Sequence, residues 1–267
     1  MKSIQELMSM KGRVSLITGG AGHIGQAMAI ALAELGSDLV LVDIDNARTE
    51  HVASQISEEY GVQVEIIICD LENDNDVRKI PKTITKRFGR LNVLVNNAAF
   101  VGSTDLEGWV ADFGDQSIET WRRAIEVNLT AAFILTQGCR ELLDDSGNGS
   151  VINIASIYGI YGPDLGLYSN TNMNNPAAYA ASKGGLLQLT RWLSTVLAPK
   201  IRVNAISPGG VERGQPKSFV KRYIARTPLA RMATEEDFKG AIAYLASDMS
   251  RYVTGENLIV DGGWGVW

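Results

Sequence analysis

Histidine and cysteine are both scarce in this 267-residue chain, with two of each. Cys69 and Cys139 lie far apart and neither forms a Cys-x-x-Cys pair, which excludes a disulfide scaffold and the usual thiolate metal sites. They are expected to be reduced core thiols of a cytosolic protein, although two cysteines can in principle pair. His23 and His51 are equally isolated, so no metal site is expected. Long apolar runs are absent too: none approaches the roughly 20 residues a bilayer span requires. The N-terminal MKSIQELMSMKGR carries Glu6 and no apolar stretch, so no secretory leader is expected and the chain is placed in the cytoplasm. Basic runs are lacking, and 25 Lys and Arg face 30 Asp and Glu for a net charge of −5. Nucleic acid and membrane are therefore not expected partners.

What remains is an ordinary globular composition, 45% hydrophobic and 21% charged. Short apolar runs alternate with amphipathic stretches. Strands are predicted at Val14–Ile17, Leu39–Asp43, Val62–Cys69, Leu91–Val95, Val151–Ala155, Ile201–Ile206 and Asn257–Val260. Helices are predicted at Ile24–Leu35, Arg48–Tyr60, Val77–Phe88, Ile118–Leu143, Ala177–Ala198 and Glu235–Ser247. Continuous Val/Ile/Leu strands separated by helices indicate a parallel sheet covered on both faces. The fold class is α/β: one Rossmann-type, doubly wound domain spanning 1–267, with about seven parallel strands flanked by helices. Two polar segments, Phe100 to Ser117 and Gly159 to Pro176, follow strand carboxyl ends, where ligands bind in open α/β sheets. They read as walls of a substrate site or as solvated insertions.

Thr18-Gly19-Gly20-Ala21-Gly22-His23-Ile24-Gly25 joins the first strand to the first helix. Gly20, Gly22 and Gly25 fit G-x-G-x-x-G, which lets backbone N–H groups approach a pyrophosphate at a helix N-terminus. Asp43 ends the second strand, where a carboxylate accepts from an adenosine 2′-hydroxyl and repels a 2′-phosphate. NAD is expected over NADP, with Arg48 close enough in sequence to rescue a phosphate. Asp70 could reach the adenine or cap a helix. Asn96-Asn97-Ala98-Ala99 ends the fourth strand with small side chains beside the cofactor and amides able to tie strands together.

Tyr179 and Lys183 are four apart on one face of a predicted helix. A lone Tyr-x-x-x-Lys is commonly a surface pair, but here Ser156 ends the preceding strand and Asn128 lies in the long helix before it. Bringing a phenol from about 10 to near 7 takes roughly 4 kcal/mol. An adjacent ammonium and an oxidised nicotinamide carry charge of the right sign, which suits Tyr179 to acid/base work.

In these motifs the chain resembles the short-chain dehydrogenase/reductase family. The match runs in order through Thr18–Gly25, Asp43, Asp70, Asn96-Asn97-Ala98, Asn128, Ser156, Tyr179/Lys183, Arg202-Val203-Asn204, Pro208-Gly209 and Val260-Asp261-Gly262-Gly263. The resemblance implies that Tyr179 exchanges the proton and that Ser156 polarises the substrate oxygen. Lys183 would bind the nicotinamide ribose and depress the phenol pKa, while Asn128 would hold a water leading from Lys183 to solvent. It implies a dinucleotide site of Gly19, Gly22, His23, Ile24, Gly25, Asp43, Asp70, Leu71, Asn97, Ala98, Ala99, Tyr179, Lys183, Pro208, Gly209 and Val211. It also implies a homotetramer or dimer, with the helices around Asn128 and Tyr179 at one interface and the Trp264–Trp267 tail at another. His23 replaces a usual glycine, Ala99 replaces another, and the common threonine after Pro208-Gly209 is missing. The Ser–Tyr separation, 179 − 156 = 23, resembles that of the extended branch and of oxidoreductases in bacterial surface-sugar and nonulosonate pathways. The chain lacks the extra length of extended members, so it reads as a classical one with enlarged loops.

The Gly159–Pro176 loop is rich in Asn, Tyr and Gly and lacks Lys and Arg, as suits a polyhydroxyl ligand. The other loop adds Asp105, Glu107, Asp112, Asp115 and Trp109, which either stacks on a sugar or folds its own loop down. Arg213, Lys217, Lys221 and Arg222 could meet a phosphate or form a solvated helix face. Neither loop shows a broad apolar wall. The expected activity is NAD-dependent interconversion of a secondary alcohol and ketone on a polar small molecule, a sugar or sugar phosphate. An NAD-retaining sugar epimerase or dehydratase and a catalytically silent dinucleotide sensor are the competing readings.

Overall fold

The computed structural model describes residues 1–101 and 106–267. Helix α1 (Ile4–Met8) leads into β1 (Val14–Thr18), α2 (His23–Glu34), β2 (Asp38–Asp43), α3 (Asn46–Tyr60) and β3 (Val64–Ile68). Next come α4 (Asp74–Val77), α5 (Ile80–Phe88) and β4 (Val93–Asn96). Helix α6 (Ile118–Ile125) passes through a π turn (Glu126–Thr130) into α7 (Ala131–Gly138), and α8 (Arg140–Asp145) precedes β5 (Gly149–Ile154). The remainder is α9 (Ala177–Val196), β6 (Ile201–Pro208), α10 (Lys217–Arg226), α11 (Lys239–Ala246) and β7 (Asn257–Val260). All seven strands are parallel, in the order β3-β2-β1-β4-β5-β6-β7. The order reverses between β1 and β4, so a crevice opens outside the carboxyl ends of those two strands.

The continuous apolar strands are explained by two cores, one on each face of the sheet. Successive side chains of a strand point to opposite faces. Ile17, Leu39, Leu41, Val93 and Val95 enter the core shared with α2, α3 and α11. Their neighbours Leu16, Val40, Val42 and Leu94 enter the core shared with α5 and α7. Truncating one of these fully buried side chains to alanine costs about 2–5 kcal/mol.

Local chemistry sets the helix ends. Asp45 caps α3 by accepting from the Arg48 backbone, and α3 stops at Gly61 in the left-handed region, φ 68°. The helix expected over Val77–Phe88 is broken in two, because Pro81 sits in the first turn of α5 and cannot lie within a continuous helix. The long helix expected from Ile118 is likewise interrupted, by the π turn and again at Cys139. Helix α10 was not among the expected elements; its stripe of Phe219, Val220, Tyr223 and Ile224 packs under the substrate loop.

Candidate active site

The glycine turn lies at the β1 end of the crevice. Gly19 has φ +62°, and a Cβ on Gly25 would fall 2.0 Å from the Gly19 carbonyl oxygen. Gly22 is the N-cap of α2 and offers no side chain, leaving the first helical N–H groups without a side-chain partner. Asn97 braces the turn: its Nδ2 donates to the carbonyls of Thr18 at 2.9 Å and Gly19 at 3.1 Å. Thr18 Oγ1 accepts from the backbone N–H groups of Asn97 and Ala98, both at 3.0 Å. Asn96 ties β4 to β5 through Asn153, at 2.8 Å. The glycine register differs from the one read in sequence, because Gly20 packs against Leu41 while Gly19, Gly22 and Gly25 face the cleft.

That cleft has a volume of about 630 Å³ and is lined by every position expected to hold the dinucleotide. At its far end, Asp43 Oδ2 accepts from Ala21 N–H at 3.0 Å and Oδ1 from Ile44 N–H at 2.8 Å, so both oxygens are fixed beside the turn. Asp70 lines the cleft and accepts from the Glu72 N–H in a local turn, while the helix cap expected of it is supplied by Asn73. Arg48 does not line the cleft. An uncapped helix start, a cradle that tolerates no Cβ and fixed carboxylates fit a dinucleotide.

Ser156 follows β5 and caps a short turn, its Oγ accepting from the Tyr158 N–H at 3.1 Å. Tyr179 stands in the first turn of α9, and Ser156 and Tyr179 both line the dinucleotide cleft and a second, adjoining one. Burial pushes the Tyr179 phenol above its ordinary value, with Ser156 and Arg213 pulling it down. Lys183, expected to depress the phenol, is not among the groups that pull it down here. The Lys183 ammonium lies 5.8 Å from the Tyr179 ring centre and donates to the Ile154 carbonyl at 2.7 Å; burial itself holds it down at about 8. Asn128 sits on the π turn, outside the cleft wall. Its side chain accepts from Phe100 N–H at 2.6 Å and donates to Ser182 Oγ at 2.9 Å. The side chain thus joins the strand β4 exit to α9.

The second cleft, about 320 Å³, is walled by Tyr158, Tyr168, Met173, Phe219, Tyr223 and Met232, with Asn174, Asn175 and Gln215 among its polar groups. This corrects the reading that no broad apolar wall is present: the wall is assembled from the loop, α10 and the segment after it. No charged side chain lines it among the described residues. Of the four cations, Arg222 instead donates to the Leu167 and Ser169 carbonyls, and Arg213 lines the dinucleotide cleft. Lys217 and Lys221 line neither cleft. Trp109 is 3% exposed, edge-on to Phe100, and donates to the Val101 carbonyl, so it folds its own loop down, and it also lines the second cleft. Asp105 lies outside the described residues, while Glu107, Asp112 and Asp115 are exposed and line neither cleft. Trp264 is buried beneath the loop, stacked on Tyr223 and under Arg226, while Val266 and Trp267 of the same tail stand exposed. Cys69 and Cys139 are free and buried, their thiols pushed up to about 11 and 12, so neither is a nucleophile.

A family model described as enoyl-(acyl carrier protein) reductase, of the short-chain alcohol dehydrogenase type, matches residues 19–265. The chain is 32% identical over 263 residues to the 3-oxoacyl-(acyl-carrier-protein) reductase FabG of Thermotoga maritima, covering 96% of this chain and 99% of that protein. It is 30% identical over 270 residues to the NADP-dependent mannitol dehydrogenase of Alternaria alternata, covering 98% and 95%. The crystal structure of NAD+-bound xylitol dehydrogenase superposes with a TM-score of 0.84 at 30% identity, over 95% of this chain and 99% of that one. The chain belongs to the classical short-chain dehydrogenase/reductase family and is an NAD(P)-dependent oxidoreductase that interconverts an alcohol and a carbonyl.

Proposed function

We propose that this protein is an NAD-dependent dehydrogenase/reductase acting on a secondary alcohol or ketone of a neutral, polyhydroxylated substrate such as a polyol or ketose. The observation that carries this reading is the meeting of the two clefts at Ser156 and Tyr179, with no charged side chain described in the smaller one. Tyr179 Oη passes the proton to the substrate oxygen in reduction and takes it in oxidation; Ser156 holds that oxygen. Lys183 supplies positive charge beneath the cleft floor. A bound nicotinamide dinucleotide supplies or accepts the hydride. Asp43 favours NAD, since a 2′-phosphate would meet a carboxylate whose oxygens are already pinned. Aromatic walls with Asn and Gln between them suit the apolar faces and hydroxyl edges of a sugar. A sugar phosphate finds no counter-charge there. Relatives named for mannitol and xylitol support the polyol class.

Large apolar side chains stand exposed on α6, α7 and α9, at Trp121, Phe133, Trp192 and Val196, and support a homo-oligomer through those helices. Among the described residues no helix is long and apolar enough to cross a membrane.

The test is a screen of neutral polyols and ketoses, beside their phosphorylated counterparts, with NAD(H) and NADP(H). Turnover is expected with neutral compounds and NAD(H), falling about 10²–10⁴-fold in Tyr179→Phe while dinucleotide binding persists. A preference for phosphorylated substrates would overturn the substrate class, and an unaffected rate in Tyr179→Phe would overturn the mechanism.

A further inference from the structure

The dinucleotide cleft carries three cationic side chains among its described lining residues besides His23: Arg123, Lys183 and Arg213. Two are already committed. Arg123 grips Glu72 through Nε and Nη2, with contacts of 2.9–3.1 Å, and Lys183 is buried on the Ile154 carbonyl. Arg213 is held by Nε alone, 3.2 Å from Glu235 Oε1, and its two terminal nitrogens have no partner among the described residues. That same Glu235 oxygen lies 3.7 Å from Nδ1 of His23, on the glycine turn across the cleft. The backbone under Arg213 is set by Gln215, which accepts from the Arg213 N–H at 2.8 Å and donates to the Val211 carbonyl at 2.7 Å. The arginine therefore stands on a braced segment opposite the glycine turn, with most of its guanidinium uncommitted. His23 is held below its ordinary pKa by burial and by Arg213 and Arg48, so at neutral pH it adds little positive charge there.

A pyrophosphate between the two walls would bring two negative charges, and a guanidinium fork is the side chain best shaped to receive phosphate oxygens. We propose that Arg213 is the cation that engages the pyrophosphate of a bound dinucleotide, and that Glu235 holds it in the unliganded protein, so that ligand and Glu235 compete for one guanidinium. The proposal rests on the dinucleotide reading of this cleft. It assigns a binding role to a residue standing where the family's common threonine is missing. It also makes Glu235 a brake on affinity rather than a support.

The competition gives the two residues effects of opposite sign, which a merely structural ion pair would not. The measurement is the Kd of ADP-ribose, which carries the pyrophosphate and both riboses but no reacting ring, by calorimetry on the full chain. Arg213→Gln is expected to weaken binding about tenfold or more, the loss of a charge-assisted phosphate contact. Glu235→Gln is expected to tighten it roughly two- to fivefold, the release of a partly exposed ion pair. Equal weakening in both variants would show that the pair only holds the segment in place, and would overturn the proposal. So would an unchanged Kd in Arg213→Gln, with the dinucleotide reading intact. An unmodified chain that bound no ADP-ribose would overturn both. Glu235→Gln keeps the test open should Arg213→Gln fold poorly.

Discussion

Lys183 donates from Nζ to the backbone carbonyl of Ile154 at 2.7 Å, so the ammonium of α9 is fastened to the last residue of β5. The contact satisfies one of its three donors inside the protein, and burial lowers its pKa from 10.5 to about 8. Between those two values the unfolded chain holds a proton that the folded chain has released. Unfolding then takes up a proton, and stability attributable to Lys183 rises with pH across that window. Below about pH 8 the folded protein bears the whole cost of the buried charge, about 3 kcal/mol. Lys183→Met removes the titration. The stability of the wild type relative to this variant, from urea unfolding at a series of pH values, is expected to climb by up to that amount between about pH 8 and 10.5. A difference independent of pH would show that Lys183 titrates as a solvated lysine does.

On the proposed reading, Asp43 would separate the two cofactors by charge alone. Both of its oxygens are occupied by backbone N–H groups, of Ala21 and Ile44, so the carboxylate cannot swing away from an adenosine 2′-phosphate. Asp43→Ser is expected to raise the ratio of kcat/KM for NADP over NAD by about 10- to 100-fold. An unchanged ratio would place cofactor choice elsewhere along the cleft.

The strands were legible because each carries a continuous apolar run that two cores demand, and Asn257–Val260 is found with the bounds expected from sequence. The dinucleotide wall was legible because the glycine turn, Asp43 and Asn97 are local in sequence and each has one structural use. The substrate cleft was not, since Tyr158, Tyr168, Phe219 and Met232 come from separate segments and no periodicity joins them. The spacing of Phe219, Val220, Tyr223 and Ile224 marks the apolar stripe of α10, and the Lys and Arg residues between them also suit a phosphate site, so the pattern is ambiguous. The π turn at Asn128 shifts the helical phase by one residue, which the largely apolar run of α7 after it does not register.

Two glycines in helices respond oppositely to the same methyl group. On Gly25 a Cβ meets the Gly19 carbonyl at 2.0 Å and Asn97 Nδ2 at 2.7 Å, both parts of the braced turn. Gly25→Ala is expected to abolish dinucleotide binding and lower stability by about 2 kcal/mol or more. On exposed Gly240, within α11, a Cβ meets nothing within 4 Å. Gly240→Ala is expected to stabilise by about 0.5–1 kcal/mol, since alanine loses less backbone entropy in a helix. Thermal unfolding with and without NADH checks both. A Gly25→Ala protein that still gained stability from NADH would mean that the turn can relax around the added methyl.

Arg222 converts the loop from Gly159 to Pro176 from a surface insertion into a wall. Its guanidinium donates to the Leu167 carbonyl at 2.8 and 3.0 Å and to the Ser169 carbonyl at 2.7 Å, while the neighbouring turn of α10 contributes the Arg226 pair with Asp164 at 2.7 Å. These contacts hold Tyr168 against Phe219 and bring its hydroxyl to that of Tyr158 at 2.6 Å, along one side of the substrate cleft. None of the side chains in this clasp lines the dinucleotide cleft. Arg222→Gln is expected to raise the substrate KM by about tenfold, as three charged hydrogen bonds to two carbonyls are lost. It should also speed hydrogen exchange across the loop and leave the Kd for NADH unchanged. Faster exchange with an unaltered KM would mean that the loop covers the cleft without shaping it. A shift in the NADH Kd would mean that α10 also bears on the dinucleotide, through the segment that carries Arg213.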